Sequence, residues 1–344
     1  MADRRERDGR ERRDAAGAAG AAGVERGADQ AAAKDLSASS SALPRREFLK
    51  RTGLGAGALA AGAGTLPGLL SSCGPAARGG SPDVAVIGAG AFGVWTAYHL
   101  RRRGANVVLV DQYGPGNSRA TSGGETRGVR SSYGHRAGTG ELWTRWAGRA
   151  IERWNELDAE WREETGIRHF FDTGDLIMRE EWDRVTTGSR EMWDRLGVEY
   201  EVLDRDEIEY RWPWIELEGI TVGLYEPRAG VVRARRVCET VAEMFRREGG
   251  RFELARAELG GGTGDRLDEI RLTPGEPLRA EMFIFALGPW LPTFFPELMG
   301  EMIRTPIGNV CYYGTPPGDN RFTYPNMPSY NFPGVTGWPS LPPD

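Results

Sequence analysis

The chain has 344 residues, of which 40% are hydrophobic and 27% are charged, and its formal net charge at pH 7 is -5. This length allows two domains with a sizeable core, and the composition is typical of a globular protein. The negative charge gives no electrostatic reason to expect nucleic-acid binding. The three cysteines form no CxxC pair and the three histidines form no metal-ligating set, so the sequence indicates neither a disulfide framework nor a metal site.

The amino-terminal segment is predicted to lie outside the fold. Residues 1–44 are charged and then rich in Ala, Gly and Ser, a composition that predicts disorder. Arg45 and Arg46 precede Phe48-Leu49 and an uncharged, Gly/Ala-rich run at 52–70. This pattern resembles a twin-arginine (Tat) signal, which exports proteins already folded and often with a cofactor bound. A transmembrane helix is the alternative, although so many small residues make a poor membrane anchor.

The apolar run ends in Leu70-Ser71-Ser72-Cys73, which resembles a lipoprotein processing site. In that interpretation Cys73 carries a lipid that tethers the protein to a membrane. The alternative is an ordinary cleavage site with an incidental cysteine nearby. We therefore expect an export signal at 45–73, a flexible linker at 74–82 and a periplasmic or other extracytoplasmic location.

The fold begins with a predicted βαβ unit. A short apolar strand at 83–87 runs into the turn Gly88-Ala89-Gly90-Ala91-Phe92-Gly93. A helix at 94–103 follows, and then a strand at 106–110 that ends at Asp111. Because strand, glycine turn, helix, strand and acid occur in register, the sequence predicts a dinucleotide-binding unit.

Each part of this turn has a predicted role. Gly88 permits the tight turn, Gly90 lets the backbone approach a pyrophosphate, and Gly93 lets the helix pack on the strand. The helix amino terminus offers N–H groups and a positive dipole end to the phosphates, and Asp111 is placed to bind a ribose hydroxyl. The predicted nucleotide-contacting residues of the unit are Gly88, Gly90, Ala91, Phe92, Gly93 and Asp111. This unit by itself leaves FAD and NAD open.

The next segment carries a family resemblance. Residues 121–134 are rich in glycine and hydroxyl groups and contain Arg127 and Arg130. Further landmarks follow in chain order: Phe171-Asp172-Thr173-Gly174, Asp206-Glu207-Ile208, Arg211-Trp212-Pro213, Tyr225-Glu226-Pro227, Gly230-Val231 and Phe283-Ile284-Phe285-Ala286-Leu287-Gly288-Pro289-Trp290. From about residue 83 to its end, the chain resembles the sarcosine oxidase and N-methyltryptophan oxidase family of FAD enzymes.

The resemblance implies an α/β fold with an α+β substrate domain. A Rossmann-like FAD-binding domain, at 83–163 and 225–292, would be interleaved with an antiparallel-sheet substrate domain at 164–224 and 293–344. It also implies FAD as the cofactor, a small-molecule amine substrate and a monomeric protein. By the same resemblance, Arg130 holds the substrate carboxylate and Arg127 lies against the flavin ring. The other cofactor-contacting positions that it implies are Gly124, Thr126, Gly288 and Trp290.

Physical chemistry agrees with the role given to Arg130, because a planar guanidinium binds a carboxylate through two parallel hydrogen bonds. The alternative is that Arg127 or Arg130 contacts a phosphate or a surface acid. In the family, a lysine that promotes the reaction with oxygen comes from the carboxyl-terminal third. This chain has no lysine after Lys50. We therefore expect a fragment that lacks the end of its substrate domain; the alternative is that another chain completes it.

The activity implied is oxidation of a secondary amine or N-methyl amino acid by hydride transfer to FAD, with oxygen or a quinone as acceptor. One alternative is a D-amino acid or glycine oxidase with the same FAD architecture. Another is a catalytically incomplete FAD-binding protein, and a nicotinamide dehydrogenase is a third.

Other elements are predicted from local patterns. Apolar spacing predicts helices at 142–161 and 235–248. The glycine-broken stretch at 257–279 predicts a hairpin-like excursion. The apolar run at 282–285 is typical of a strand buried on both faces. Cys311 is predicted to be a strand residue.

Overall fold

The computed structural model describes residues 81–343. The predicted disordered segment, the twin-arginine signal, Cys73 and most of the predicted linker lie outside the described residues and stay predictions. Within the described part, no helix is both long enough and apolar enough to cross a membrane.

The described residues form many short strands and seven α-helices. The strands are β1 (Val84–Ile87), β2 (Val107–Asp111), β3 (Arg127–Val129), β4 (Phe170–Phe171), β5 (Asp175–Arg179), β6 (Glu201–Leu203), β7 (Val222–Glu226), β8 (Gly230–Val232), β9 (Arg251–Leu254), β10 (Arg256–Leu259), β11 (Gly262–Thr263), β12 (Arg266–Leu267), β13 (Glu269–Thr273), β14 (Leu278–Arg279), β15 (Met282–Phe285), β16 (Ser329–Phe332) and β17 (Val335–Gly337). The helices are α1 (Ala91–Arg102), α2 (Gly140–Thr165), α3 (Arg184–Leu196), α4 (Arg205–Arg211), α5 (Ala234–Arg247), α6 (Leu291–Phe294) and α7 (Pro296–Met299), with a 3-10 turn at Gly288–Trp290.

A four-stranded parallel sheet in the order β15-β1-β2-β9 forms the centre of the first layered unit. On one face, Val86 and Leu109 pack against α1 and α5, where Val241 and Phe245 are fully buried. On the other face, β1 and β2 pack against the antiparallel sheet β10-β13-β14, which contributes the buried Ile270. Because β1 and β2 are covered on both faces, their sequences are continuously apolar rather than alternating.

The expectation that strand 282–285 is buried on both faces is wrong. The strand forms as β15, but Met282 is 57% exposed and the next three residues are only half-buried. The physical reason is its place in the sheet: β15 is the edge strand and pairs only with β1 among the described strands. An apolar run predicts a strand, whereas its burial depends on neighbours that the run itself does not specify.

A second, five-stranded sheet has the order β17-β16-β5-β7-β6. β16 runs parallel to β5, and the other pairs are antiparallel. One face carries Ile177 and Leu224 against the fully buried Trp193 of α3. The opposite face packs on Ile208 of α4. A small sheet, β3-β8-β4, carries the segment that contains Arg127.

The mixed α/β fold class with parallel and antiparallel sheets is confirmed, while the predicted domain boundaries stay a prediction. The predicted helices at 142–161 and 235–248 are α2 and α5, and the predicted excursion at 257–279 is a set of antiparallel strands from β10 to β14. Cys311 is not a strand residue; it is exposed in a stretch without regular structure at 303–316, so its prediction is wrong.

Candidate functional site

The carboxyl ends of β1, β2 and β15 meet around the glycine turn. Gly88 has a φ of +105°, a conformation that glycine adopts readily and other residues avoid. Its N–H donates to the Val110 carbonyl at 2.7 Å. A Cβ on Gly88 would lie 2.4 Å from the Ala286 carbonyl oxygen. Both the turn and the close approach of β15 therefore require glycine here.

The other two glycines of the turn serve different purposes. A Cβ on Gly93 would lie 1.7 Å from the Gly88 carbonyl oxygen, so the helix packs on the turn only because that atom is absent. A Cβ on Gly90 would lie 3.5 Å from its nearest neighbour, the hydroxyl of Ser122. Protein packing alone therefore does not demand glycine at position 90, which agrees with the prediction that a ligand approaches the backbone there.

The amino terminus of α1 has hydrogen-bond donors to offer. Ser122 Oγ accepts a hydrogen bond from the Ala91 N–H at 3.0 Å. The N–H groups of Phe92 and Gly93 lie in the first turn of the helix, where no intrahelical carbonyl is available to them. The Phe92 side chain is 86% exposed, so its predicted cofactor contact would come from the backbone. The sequence prediction missed Ser122, although it lies inside the hydroxyl-rich segment.

Asp111 connects the end of β2 to the glycine turn. Its Oδ2 accepts the Ala89 N–H at 2.7 Å, and its Oδ1 accepts the N–H groups of Tyr113 and Gly114 at 2.7 and 2.9 Å. An ionised carboxylate has about four acceptor positions. One therefore remains for a ribose hydroxyl, and the ribose contact stays a prediction.

Gly288 and Trp290 lie beyond the end of β15, in the 3-10 turn. Gly288 has a φ of +52°, and within the described part of the chain no atom lies within 4 Å of the position that its Cβ would take. The Trp290 ring lies 6.4 Å from the ring of Tyr113, which follows β2. The structure thus brings these two predicted positions to the same sheet edge as Gly88 and Asp111.

The two arginines of the next segment have different surroundings. Arg127 donates from Nη1 to the Thr126 carbonyl and from Nη2 to the Thr121 carbonyl, each at 2.7 Å. Its guanidinium lies over Gly124, where an added Cβ would meet Nη1 at 2.1 Å. Arg127 therefore holds its own loop closed, and its predicted contact with the flavin ring stays a prediction.

Arg130 is half-buried just after β3, and its guanidinium donates no hydrogen bond to any residue in the described part of the chain. Two buried carboxyl groups, those of Asp175 and Glu226, interact with it electrostatically. The sequence prediction missed this acidic pair. Glu226 was visible only as part of the landmark Tyr225-Glu226-Pro227, and Asp175 follows the landmark that ends at Gly174.

The acidic pair is perturbed by its surroundings. Burial raises the pKa of the Asp175 carboxyl, opposed by the charges of Arg130 and Arg179. Burial also raises the pKa of Glu226 to about 7, opposed first by hydrogen bonds from Ser131. A buried carboxyl whose pKa is raised toward 7 is a common feature of functional sites.

The glycine turn, the free helix terminus and the acid after β2 define a dinucleotide-binding oxidoreductase fold. The FAD dependent oxidoreductase family matches residues 83–337 of the chain. The chain therefore belongs to this family.

Several known proteins are similar in sequence. Human peroxisomal sarcosine oxidase is 27% identical over 241 residues, which cover 67% of this chain and 57% of that enzyme. The N-methyl-L-tryptophan oxidase of Escherichia coli K12 is 27% identical over 264 residues, which cover 74% of this chain and 64% of that enzyme. The chain thus spans less than two thirds of the length of these relatives.

Solved structures with the same fold include a glycine oxidase from Bacillus cereus and an L-proline dehydrogenase from P. horikoshii. The first has a TM-score of 0.53 at 20% identity and covers 63% of this chain and 58% of its own. The second has a TM-score of 0.56 at 16% identity and covers 73% of this chain and 64% of its own. At this identity the likeness supports the fold alone.

FAD is the cofactor of this family, and the residues present fit it. The Gly88 turn, the backbone at Gly90 and the free N–H groups at the start of α1 suit a pyrophosphate. The remaining acceptor position of Asp111 suits a ribose hydroxyl. The described residues contain no cluster of metal-ligating side chains.

Proposed function

We propose that this protein is an FAD-dependent amine oxidoreductase that acts on a secondary amine or an N-methyl amino acid. Family membership supports the cofactor and the class of reaction. The similar sequences of a sarcosine oxidase and an N-methyl-L-tryptophan oxidase support the substrate class. We further propose that the protein acts as a monomer.

The observation that carries the proposal is the state of the Arg130 guanidinium. Arg127 uses its donors on the carbonyls of its own loop, whereas Arg130 is half-buried and engages no described hydrogen-bond partner. A guanidinium with unused donors, partly shielded from water, can bind a carboxylate through two parallel hydrogen bonds. Arg130 would therefore hold the carboxylate of an amino acid substrate.

When bound, FAD supplies the chemistry by accepting a hydride equivalent from the carbon beside the amine nitrogen. The chain itself supplies binding and orientation. The glycine turn and the start of α1 would hold the pyrophosphate, and Asp111 would hold the ribose. Arg130 would fix the substrate by its carboxylate, which limits the positions that the amine end can take.

The test uses the full chain with FAD under anaerobic conditions. Sarcosine and N-methyl-L-tryptophan should bleach the flavin absorbance of the wild type, and the Arg130→Met variant should require much more substrate. Arg145→Met, which removes an exposed arginine from α2, should behave as the wild type does. Bleaching by glycine or D-alanine but not by N-methyl amino acids would contradict the proposal and favour a glycine or D-amino acid oxidase.

We also propose that the protein is exported by the Tat route and tethered to a membrane through Cys73. The supporting observations are the Arg45-Arg46 pair, the weakly apolar run after it and the position of Cys73 at its end. Replacing both arginines with lysine should retain the protein in the cytoplasm, and Cys73→Ala should release it from the membrane fraction. Unchanged fractionation of both variants would contradict the proposal. With export, oxygen and a membrane quinone are both available as electron acceptors.

A further inference from the structure

A row of three polar residues crosses the five-stranded sheet. Asp175 opens β5, and its register partners are Ser329 on β16 and Glu226 on β7. Residues directly opposite each other on paired strands point to the same face, with Cβ atoms about 5 Å apart. The carboxyl groups of Asp175 and Glu226 therefore share one face at one end of the sheet.

This pair is deeply buried, because Asp175 is 5% exposed and Glu226 is 1% exposed. Glu226 accepts two hydrogen bonds from Ser131, from N–H to Oε2 at 2.9 Å and from Oγ to Oε1 at 2.5 Å. The Trp193 indole donates in turn to Ser131 Oγ at 2.9 Å. Ser131 directly follows Arg130, so the glutamate is hydrogen-bonded to the backbone that carries the arginine.

The carboxyl group of Asp175 has fewer hydrogen-bond donors around it than that of Glu226. Its Oδ2 is buried and accepts no hydrogen bond from any described residue. A buried carboxylate oxygen without a donor makes the ionised form costly, and a second negative charge on Glu226 adds to that cost. Two carboxyl groups that interact in this way titrate as a pair rather than independently.

The positive charges acting on the pair are those of Arg130, after β3, and Arg179, at the end of β5. Arg179 already has hydrogen-bond partners, since its guanidinium donates to Asp183 Oδ2 at 2.8 Å and to the Asn331 side-chain oxygen at 2.9 Å. Arg130 has no such partner among residues 81–343. The negative charge of the pair therefore acts mainly on Arg130.

We propose that Asp175 and Glu226 are positioning residues for Arg130: they hold one proton between them, and their single negative charge orients the Arg130 guanidinium toward a substrate carboxylate. The last step rests on the proposed function of Arg130. The proton sharing rests on the sheet register, the burial and the hydrogen bonds of the pair, and the link to Arg130 rests on the charge of Arg130 and on the bonds from Ser131, its neighbour in the chain, to Glu226.

The arrangement predicts a pH dependence. Because burial raises the pKa of Glu226 to about 7, the pair loses its shared proton as the pH rises above neutral. The second negative charge then competes with an incoming carboxylate for Arg130. Affinity for a carboxylate should therefore fall by about ten-fold between about pH 6 and about pH 8.5, a range in which a simple monocarboxylate does not titrate.

The first arm of the test measures the proton without any ligand. Infrared difference spectra of the full chain, acid minus alkaline, should contain the carbonyl band of one protonated carboxylic acid. The band should be absent from Asp175→Asn and from Glu226→Gln, and retained in Glu201→Gln, which removes a partly exposed carboxyl from the neighbouring β6. A band that is missing from the wild type, or that persists in both pair variants, would overturn the proposal. Asp175→Asn is nearly isosteric, so this arm survives if Glu226→Gln fails to fold.

The second arm titrates acetate into the FAD-bound chain and follows the flavin absorbance. Asp175→Asn leaves at most one negative charge on the pair, whereas the wild type carries two near pH 8.5, so the variant should bind acetate about ten-fold more tightly than the wild type at that pH. Equal acetate affinity of the two proteins near pH 8.5 would overturn the positioning role. If acetate binds Arg130→Met as tightly as the wild type, the proposed function of Arg130 fails and the positioning role fails with it, while the infrared result still decides whether the pair shares a proton.

Discussion

Replacing Gly93 with alanine is expected to separate α1 from the glycine turn. The new methyl carbon would lie 1.7 Å from the Gly88 carbonyl oxygen and 2.8 Å from its carbon. Both are backbone atoms that cannot rotate away, so relief requires the helix and the turn to move apart by more than about 1 Å. Overpacking of this kind costs about 1–3 kcal/mol, and a rigid backbone partner places the cost at the upper end.

Alanine has a higher helix propensity than glycine, by about 1 kcal/mol, and this gain offsets part of the overpacking cost. The free energy of unfolding should therefore fall by about 2 kcal/mol in total. For a domain of this size that loss lowers Tm by about 4–8 °C. FAD affinity should fall by about ten-fold or more, because the N–H groups at the start of α1 move with the helix. Differential scanning calorimetry and FAD titration measure the two effects.

Gly148→Ala is the matched control, since Gly148 lies within α2 and no atom of the described residues comes within 4 Å of its missing Cβ. There the propensity gain of about 1 kcal/mol is unopposed, and Tm should rise by about 2–4 °C. The two identical substitutions are thus expected to act in opposite directions. A Gly93→Ala protein that melts at or above the wild-type temperature and binds FAD normally would refute the packing argument.

Three further predictions follow from the site. Ser122→Ala removes the acceptor of the Ala91 N–H and should destabilise the start of α1 by about 1 kcal/mol, measured by urea unfolding; an unchanged midpoint would contradict this. Arg130→Met should weaken N-methyl amino acid binding by about ten- to a hundred-fold without changing FAD affinity, and an equal loss of both would point to a structural role instead. Glu226 has a pKa raised from 4.5 to about 7, so the native state binds the extra proton and the stability contributed by the neutral form is lost as pH rises through that window. Glu226→Gln lacks this titrating group and does not lose that stability. The free energy of unfolding of the variant minus that of the wild type should therefore rise by about 3 kcal/mol between about pH 4.5 and above about pH 7. A difference that does not vary with pH would be evidence against the raised pKa of Glu226.

Much of the nucleotide-binding end could be predicted from the sequence, because its glycines have local causes. The positions of Gly88 and Gly93 are set by a positive φ and by a helix–turn contact within six residues of chain. The burial of β15 could not be predicted in the same way. Its apolar run indicates a strand, but its exposure depends on whether another strand or layer covers it.

The acidic pair could not be predicted from the sequence for a similar reason. Asp175 and Glu226 are 51 residues apart, and only the register of β5 with β7 brings them side by side. A slip of one residue in that register would put the two side chains on opposite faces of the sheet. The prediction that Cys311 is a strand residue failed for a different reason. The residues around it have a strand-like composition but pair with no strand in the described part of the chain.

FAD binding through the glycine turn and the start of α1 is the basis of the proposed activity. The most direct test is the visible absorbance spectrum of the purified full chain after FAD is added and the excess is removed. We expect flavin bands in a one-to-one ratio with protein in the wild type and in Gly148→Ala, and a clearly lower flavin content in Gly93→Ala. A folded wild-type chain that retains no flavin would contradict it.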